Sequence, residues 1–213
     1  MKVARYLLVA LIVSSCASTV LVQGPPRMVL EREGTIGIIA FDVKSDEAGT
    51  RDVSSQFLQS IHEGQPGVPV VELGNSATVL DAVGKTVMDG DAIREIGKKF
   101  HVDALIVGVL TMKESKPKVD VDFSHGLRVG SLQAQVRLDG TLEAKLVKTD
   151  GGATVWSASS SRWIQLAGMS GSTTGYGSVS VADRDRQVEK LVADMVQEAS
   201  HDFQPTWVRQ PAP

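Results

Sequence analysis

Between Leu132 and Leu146 the chain alternates between apolar and polar positions. Leu132, Ala134, Val136, Leu138, Leu142, Ala144 and Leu146 fall on even positions, and Gln133, Gln135, Arg137, Asp139, Thr141, Glu143 and Lys145 on odd ones. Successive side chains of a strand point to opposite faces, so this pattern predicts a long strand with one face buried and one wet. Gly140 stands in the apolar register and predicts a bulge or bend. Thr149-Asp150-Gly151-Gly152 predicts a hairpin turn. The return strand runs through Thr154, Val155 and Trp156 towards Trp163.

The first half has a different rhythm. Ile36-Gly37-Ile38-Ile39-Ala40-Phe41 is an apolar run with the length of a buried strand, followed by a polar loop from Asp42 to Thr50. Val53, Phe57, Leu58 and Ile61 recur at helical spacing until Gly64 and Pro66 stop the pattern. Val68 to Leu73 predicts a second strand. Asn75 or Ser76 caps a short helix carrying Val79, Leu80, Val83 and Val87, and Asp91 caps another with Ile93, Ile96 and Phe100 on its buried side. His101-Val102-Asp103 turns the chain into a third buried strand, Ala104 to Leu110.

Gly168 to Ser180 is rich in glycine, serine and threonine and reads as a flexible loop. Ser180-Val181-Ala182-Asp183 fits a capping box ahead of a last helix, whose stripe is Val188, Leu191, Val192, Met195, Val196, Ala199 and Phe203. Pro205 ends it. The tail beyond reads as loose, with Trp207 the one residue expected to dock. The predicted order is β-α-β-α-α-β, a hairpin and a helix. This is an α/β (α+β) fold: a mixed sheet of about five strands covered by helices, with a long antiparallel hairpin and a C-terminal helix. A length of 213 residues suits one such domain.

The N-terminus has another pattern. Met1 to Arg5 is short and basic, Tyr6 to Val13 is apolar, and Ser14 and Ser15 are small. This is signal-peptide architecture, and its apolar run is far shorter than the roughly 20 residues of a membrane-spanning helix. Val13-Ser14-Ser15-Cys16 resembles the lipobox of bacterial lipoproteins, in which the cysteine is lipidated and becomes the new N-terminus. Cys16 is the only cysteine, so no disulfide can form within one copy. Ala17 follows where an aspartate would resemble an inner-membrane retention signal, which favours the outer membrane. The expected organisation is a signal peptide over residues 1–15, a lipidated tether over 16–34 containing Gly24-Pro25-Pro26, a domain over 35–204 and a flexible tail over 205–213.

Charge removes one class of partner. The formal net charge is −3, and cleavage before Cys16 would remove Lys2 and Arg5 and take the chain to −5. An acidic chain without a basic stripe is a poor binder of phosphate backbones, so no nucleic acid is expected. His62, His101, His125 and His201 are scattered with no second ligand at metal spacing, and no metal or cofactor is expected. Gly168-Met169-Ser170-Gly171-Ser172 has the wrong spacing for a nucleophile elbow. Ser115-Lys116-Pro117-Lys118 matches S-x-x-K only by letters, since Pro117 breaks the helix that motif requires. No phosphate loop or dinucleotide fingerprint is present. No catalytic residue is therefore nominated, and the chain is not expected to be an enzyme.

Ile36 to Phe41, then Ala92 to Gly108 with its Val102-Asp103-Ala104-Leu105-Ile106-Val107-Gly108, then Leu142 to Val147, Asp150-Gly151 and Val155-Trp156-Ser157 together resemble the CsgG-like lipoproteins. The likeness covers about Thr35 to Phe203 and rests on hydrophobic patterns. It implies a periplasm-facing α/β domain with a non-enzymatic role in assembly or export at the outer membrane. In the channel-forming member each subunit lends two β-hairpins to a transmembrane barrel, and the matching stretches here are Lys113 to Gln133 and Ser160 to Val181. Val119, Val121 and Phe123 in the first, and Trp163 and Tyr176 in the second, are the candidate partner-binding or membrane-hairpin residues. Membrane strands need about 9–11 residues with an apolar lipid-facing side, and both stretches are thin for that. The favoured reading is a lipid-anchored accessory protein held through Cys16, whose partners are envelope proteins or further copies. Its binding surface would be exposed loops from Lys113 to Gly130 and Gly168 to Ser180. The competing reading is a secretion-channel subunit.

Overall fold

The computed structural model describes residues 19–45, 53–115, 118–122, 131–172, 177–181 and 183–211. Strands β2 (Ile36–Ala40), β4 (Val70–Asn75) and β5 (Ala104–Glu114) form the parallel part of a mixed sheet, in the order β4-β2-β5. A parallel strand in mid-sheet is covered on both faces, which is why β2 is a continuous apolar run. Short β3 (Asp42–Lys44) follows β2 and pairs in parallel with β5 further along. The sheet continues with two long antiparallel strands, β7 (Ser131–Lys148) and β8 (Thr154–Ser172), so that β5 lies beside β7 and β7 beside β8. Strands β6 (Lys118–Asp122) and β9 (Gly177–Val181) pair with β7 and β8 respectively. The predicted mixed fold, the long hairpin and the C-terminal helix are all present. Among the described residues the sheet has eight strands where the sequence pattern indicated about five.

One face of the sheet carries the larger core. Helix α1 (Val53–Gly64) buries Val53, Phe57 and Ile61, and helix α4 (Arg184–Ala199) buries Val188, Leu191, Val192, Met195, Val196 and Ala199. They meet β7 and β8 on the even-numbered face: Leu138, Leu142, Ala144 and Leu146 are buried there. Phe57 sits at the centre, with ring centroids 5.1 Å from Phe41, 6.4 Å from Trp156 and 6.1 Å from Phe203. Full burial of such a ring contributes about 1.5–3 kcal/mol. Helices α2 (Ser76–Ala82) and α3 (Gly90–Phe100) belong to a smaller cluster of Ile39, Val79, Ile96, Val102 and Leu105.

Several local expectations change. Asn75 does cap α2, accepting from the Thr78 N–H at 2.8 Å, but the helix ends at Ala82 and Gly84 takes a positive φ of 66°. The cap of α3 is Asp89, not Asp91: its extended backbone lets the carboxylate accept from the Ala92 N–H at 2.8 Å, while Asp91 pairs with Arg94. The cap of α4 is Asp183, which accepts from the Arg186 N–H; Ser180 of the expected capping box is taken by the β8–β9 ladder, opposite Gly168. Gly140 marks no bulge. The register of β7 shifts at Val136/Arg137 and Leu146/Val147 instead. A Cβ at Gly140 would lie 2.9 Å from Met195 Cε, so glycine leaves room for the α4 side chains.

Within the segments read as a tether and a loose tail, residues 19–34 and 205–211 take up defined structure. Strand β1 (Thr19–Gly24) pairs antiparallel with β10 (Thr206–Pro211), forming a separate two-stranded ribbon. Trp207 lies in this ribbon and is exposed rather than docked. A 3-10 turn over Leu30–Glu33 buries Leu30. It is held by Gln65, whose Oε1 accepts from the Leu30 N–H at 2.8 Å while its Nε2 donates to the Met28 carbonyl at 2.7 Å and the Phe203 carbonyl at 3.2 Å. Glu33 pairs with Lys148 at 2.9 Å, and the Met28 N–H donates to the Asp202 carbonyl. Pro25 and Pro26 exclude helix and sheet interior, but nothing prevents the following residues from docking onto α1 and the C-terminal turn.

Candidate functional site

The two segments read as loops, 113–130 and 168–180, supply strands. Strand β5 runs to Glu114, β6 follows, β8 continues to Ser172 and β9 returns. The ladders place them side by side in the order β6-β7-β8-β9. Val119 pairs with Ala134, Ala134 with Met169, and Met169 with Val179. Val121 pairs with Leu132, which pairs with Gly171. Stretches some fifty residues apart in sequence are thereby brought to one end of one sheet. This end continues past the level at which α4 begins, because Val181 is opposite Ala167 and Asp183 caps α4 two residues later. Backbone hydrogen bonding to β7 and β8, which local composition does not reveal, turns the glycine- and serine-rich segment into strand. Phe123, Tyr176 and Cys16 lie outside the described residues.

Trp163 lies on the body side of this end, in β8 directly opposite Asp139 of β7. It is on the odd-numbered, wet face and is 57% exposed. The Arg137 guanidinium sits over its ring, 4.5 Å from the centroid, an arrangement worth about 0.5–1 kcal/mol at exposed sites. Asp139 accepts from Arg137 Nε at 2.7 Å and also from its Nη2. The backbone of Arg137 is fixed in turn by Ser115, whose N–H donates to the Arg137 carbonyl at 2.7 Å. Ring, guanidinium and carboxylate thus form one braced unit. Around it run Thr141, Glu143 and Lys145 on β7 and Ser157, Ser159, Ser161 and Gln165 on β8; Thr141 and Ser161 share a hydroxyl contact of 3.3 Å. Among the described residues the face is polar and open, with one aromatic ring. Such a surface can stack and hydrogen-bond a partner.

The opposite face of β8 is tied to α4. Glu198 Oε2 accepts from Ser160 Oγ at 2.7 Å and from Arg162 Nε at 3.0 Å. The Ser160 hydroxyl, then Arg162, hold the Glu198 carboxyl below its ordinary range. Arg184, in the first turn of α4, pairs with Glu114 at the end of β5 at 2.7 Å. Ser160 and Arg162 both donate to this one carboxylate, so the cluster clamps helix to sheet. Among the described residues no group of three or more His, Cys, Asp or Glu could hold a metal ion. No described helix is long and apolar enough to cross a membrane. Sequence reasoning nominated Trp163 but missed Arg137 and Asp139. The signal was present: arginine and aspartate at i and i+2 share a strand face with a tryptophan across the hairpin.

No family model matches the chain. No curated protein matches it either. Solved structures with a similar course of the chain include the PelC dodecamer from Paraburkholderia phytofirmans, at TM-score 0.42 and 11% identity, covering 88% of this chain and 98% of that one. Lipoprotein GNA1162 from Neisseria meningitidis gives 0.37 and 15%, covering 76% and 94%. The LpoB C-terminal domain from Salmonella enterica gives 0.34 and 9%, covering 65% and 95%. Likeness at this level fixes neither family nor function.

Proposed function

We propose that this is a lipid-anchored protein of the bacterial cell envelope, held at the outer membrane through Cys16 with its domain facing the periplasm. It acts without catalysis, as an assembly or export accessory factor of the CsgG-like kind, by binding protein partners. The observation that supports this most is the open β7–β8 face, where Trp163 is stacked under Arg137 and Arg137 is braced by Asp139. A bare aromatic–arginine pair on rigid strands is the type of group that anchors protein interfaces, in which Trp and Arg are enriched. The lipobox-like Val13-Ser14-Ser15-Cys16 supports the anchor.

An oligomeric secretion channel is the second reading, favoured by the finding that both candidate hairpin stretches form strands. Against it, Lys116, Pro117, His125 and Arg128 interrupt the apolar alternation of the first stretch, and many glycines and serines dilute the second, whereas a membrane strand keeps an apolar lipid-facing side over about 9–11 residues. The two readings separate on the size of the lipidated protein extracted in detergent, compared with a Cys16→Ala form. An accessory factor gives a monomer or dimer in both forms. A discrete ring of many subunits that conducts ions in a planar bilayer sinks the accessory reading. A photo-crosslinker at position 163 in cells should trap a defined envelope protein that the same group at Lys99 on α3 does not. Equal products from both positions would remove the β7–β8 face from consideration.

A further inference from the structure

The β1–β10 ribbon is unusual in its exposure. Among the described residues it has no third strand, and a two-stranded ribbon by itself is marginal in water, because it buries too little apolar surface to offset the entropy of ordering it. Its two strands are also the first and last described, so no tight turn helps to hold them together. Yet its side chains are apolar. Register puts Leu21 opposite Arg209 and Gln23 opposite Trp207, so Leu21, Trp207 and Arg209 share one face. Leu21 is 63% exposed and Trp207 66%. Val20, Val22 and Val208 share the other face and are also exposed, though less so. A soluble surface would not place these groups together without a cover.

The position of the ribbon in the chain identifies the cover. Thr19 is three residues after Cys16, so the start of β1 lies no more than about 10 Å of chain from the residue that carries the anchor. We infer that the β1–β10 ribbon lies on the membrane, with its Leu21–Trp207–Arg209 face turned into the headgroup and upper acyl region. Three features fit that medium. Tryptophan prefers the membrane interface, where its ring is apolar and its N–H remains wet. Arginine extends a charged end to headgroup phosphates while its stem lies along apolar surface. The ribbon also gains in the bilayer the burial that it lacks in water. Its consequence is orientation: the lipid alone would leave the domain free to tumble, whereas a ribbon built from residues 19–24 and 206–211 fixes which face looks into the periplasm. Ribbon and β7–β8 face are then two separate surfaces, one for the membrane and one for the partner.

This inference rests on the lipidated anchor proposed above, and the test keeps the two apart. The full protein is purified from bacterial membranes, its Cys16 peptide is weighed, and it is reconstituted into phosphatidylethanolamine–phosphatidylglycerol vesicles with brominated or plain acyl chains. Two variants are compared: Trp163→Phe, which keeps Trp156 and Trp207, and Trp207→Phe, which keeps Trp156 and Trp163. Trp156 is buried and serves both as an internal constant. The expected result is a lipid adduct on Cys16, with bromine quenching part of the Trp163→Phe emission and leaving that of Trp207→Phe unchanged. An adduct with neither variant quenched overturns the ribbon's role and leaves the anchor standing; a second copy covering the ribbon would give this outcome. Quenching of Trp207→Phe to the same or a greater extent also overturns it, since the wrong face would then meet lipid. An unmodified Cys16 removes the anchor and, with it, the inference built upon it.

Discussion

Gln65 is the point at which the N-terminal segment, helix α1 and the C-terminal turn are tied together, and its replacement by alanine has a calculable effect. The side chain is buried, and its three hydrogen bonds go to the backbone of Leu30, Met28 and Phe203. In Gln65→Ala the Leu30 N–H loses its acceptor and two carbonyls lose a shared donor. An orphaned buried donor costs about 1–3 kcal/mol and each lost bond about 1 kcal/mol net. The carbonyls suffer less than the N–H, since a second lone pair and entering water relieve them. The sum is about 2–4 kcal/mol. With a urea slope of about 2 kcal/mol per molar, the midpoint should fall by roughly 1–2 M. Trp156 reports the transition, since its ring lies 4.4 Å from Phe203 in the core. The control is Gln59→Ala, which removes only an exposed bond to Glu63 and should shift stability by less than about 0.5 kcal/mol. Exchange of the Leu30 amide should also quicken in Gln65→Ala. A Gln65→Ala shift as small as the control's would refute the reasoning, because the 3-10 turn would then not depend on Gln65.

Two further outcomes follow from the same geometry. A Cβ placed on Gly97 lies 2.4 Å from Thr149 Cβ and 2.7 Å from its Oγ1, so Gly97→Ala must displace Thr149 from the Val102 and Asp103 carbonyls. We expect a loss of about 2–4 kcal/mol in thermal melts, partly restored in Gly97→Ala/Thr149→Gly, which removes the clashing Cβ; full stability in the single variant would contradict it. Glu198 is held below its ordinary range by Ser160 first and Arg162 second. Its contribution is present above the unfolded carboxylate value of about 4.3 and is lost as pH falls through the lowered folded value. Ser160→Ala should therefore flatten the acid side of a urea-midpoint profile, and an unchanged slope there would show that the contact does not hold in solution.

The sequence by itself determined the elements whose periodicity is local. Even and odd positions from Val136 to Leu146 sort into buried and wet faces because a strand offers no third direction, and Thr149-Asp150-Gly151-Gly152 closes the hairpin by its own backbone preference. The stripes of α1 and α4 are equally legible, as is Trp163 on the wet face. Only the tertiary structure decided the rest. Asp89 and Asp183 are caps because the chain enters those helices extended at these residues, which the run of acidic and polar letters around them does not reveal. Gly140 is a place kept for Met195, and no neighbour in sequence announces that. Residues 168–180 contribute strand because β7 and β8 supply edges to pair with, and backbone pairing depends little on the side chains present. The residues read as a tether and a tail form a ribbon and a docked turn because their partners are each other and Gln65, from 35 to nearly 200 positions away. Contacts at that separation leave no period in the sequence: each partner obeys its own local rules, and their meeting is fixed only when the chain between them has folded.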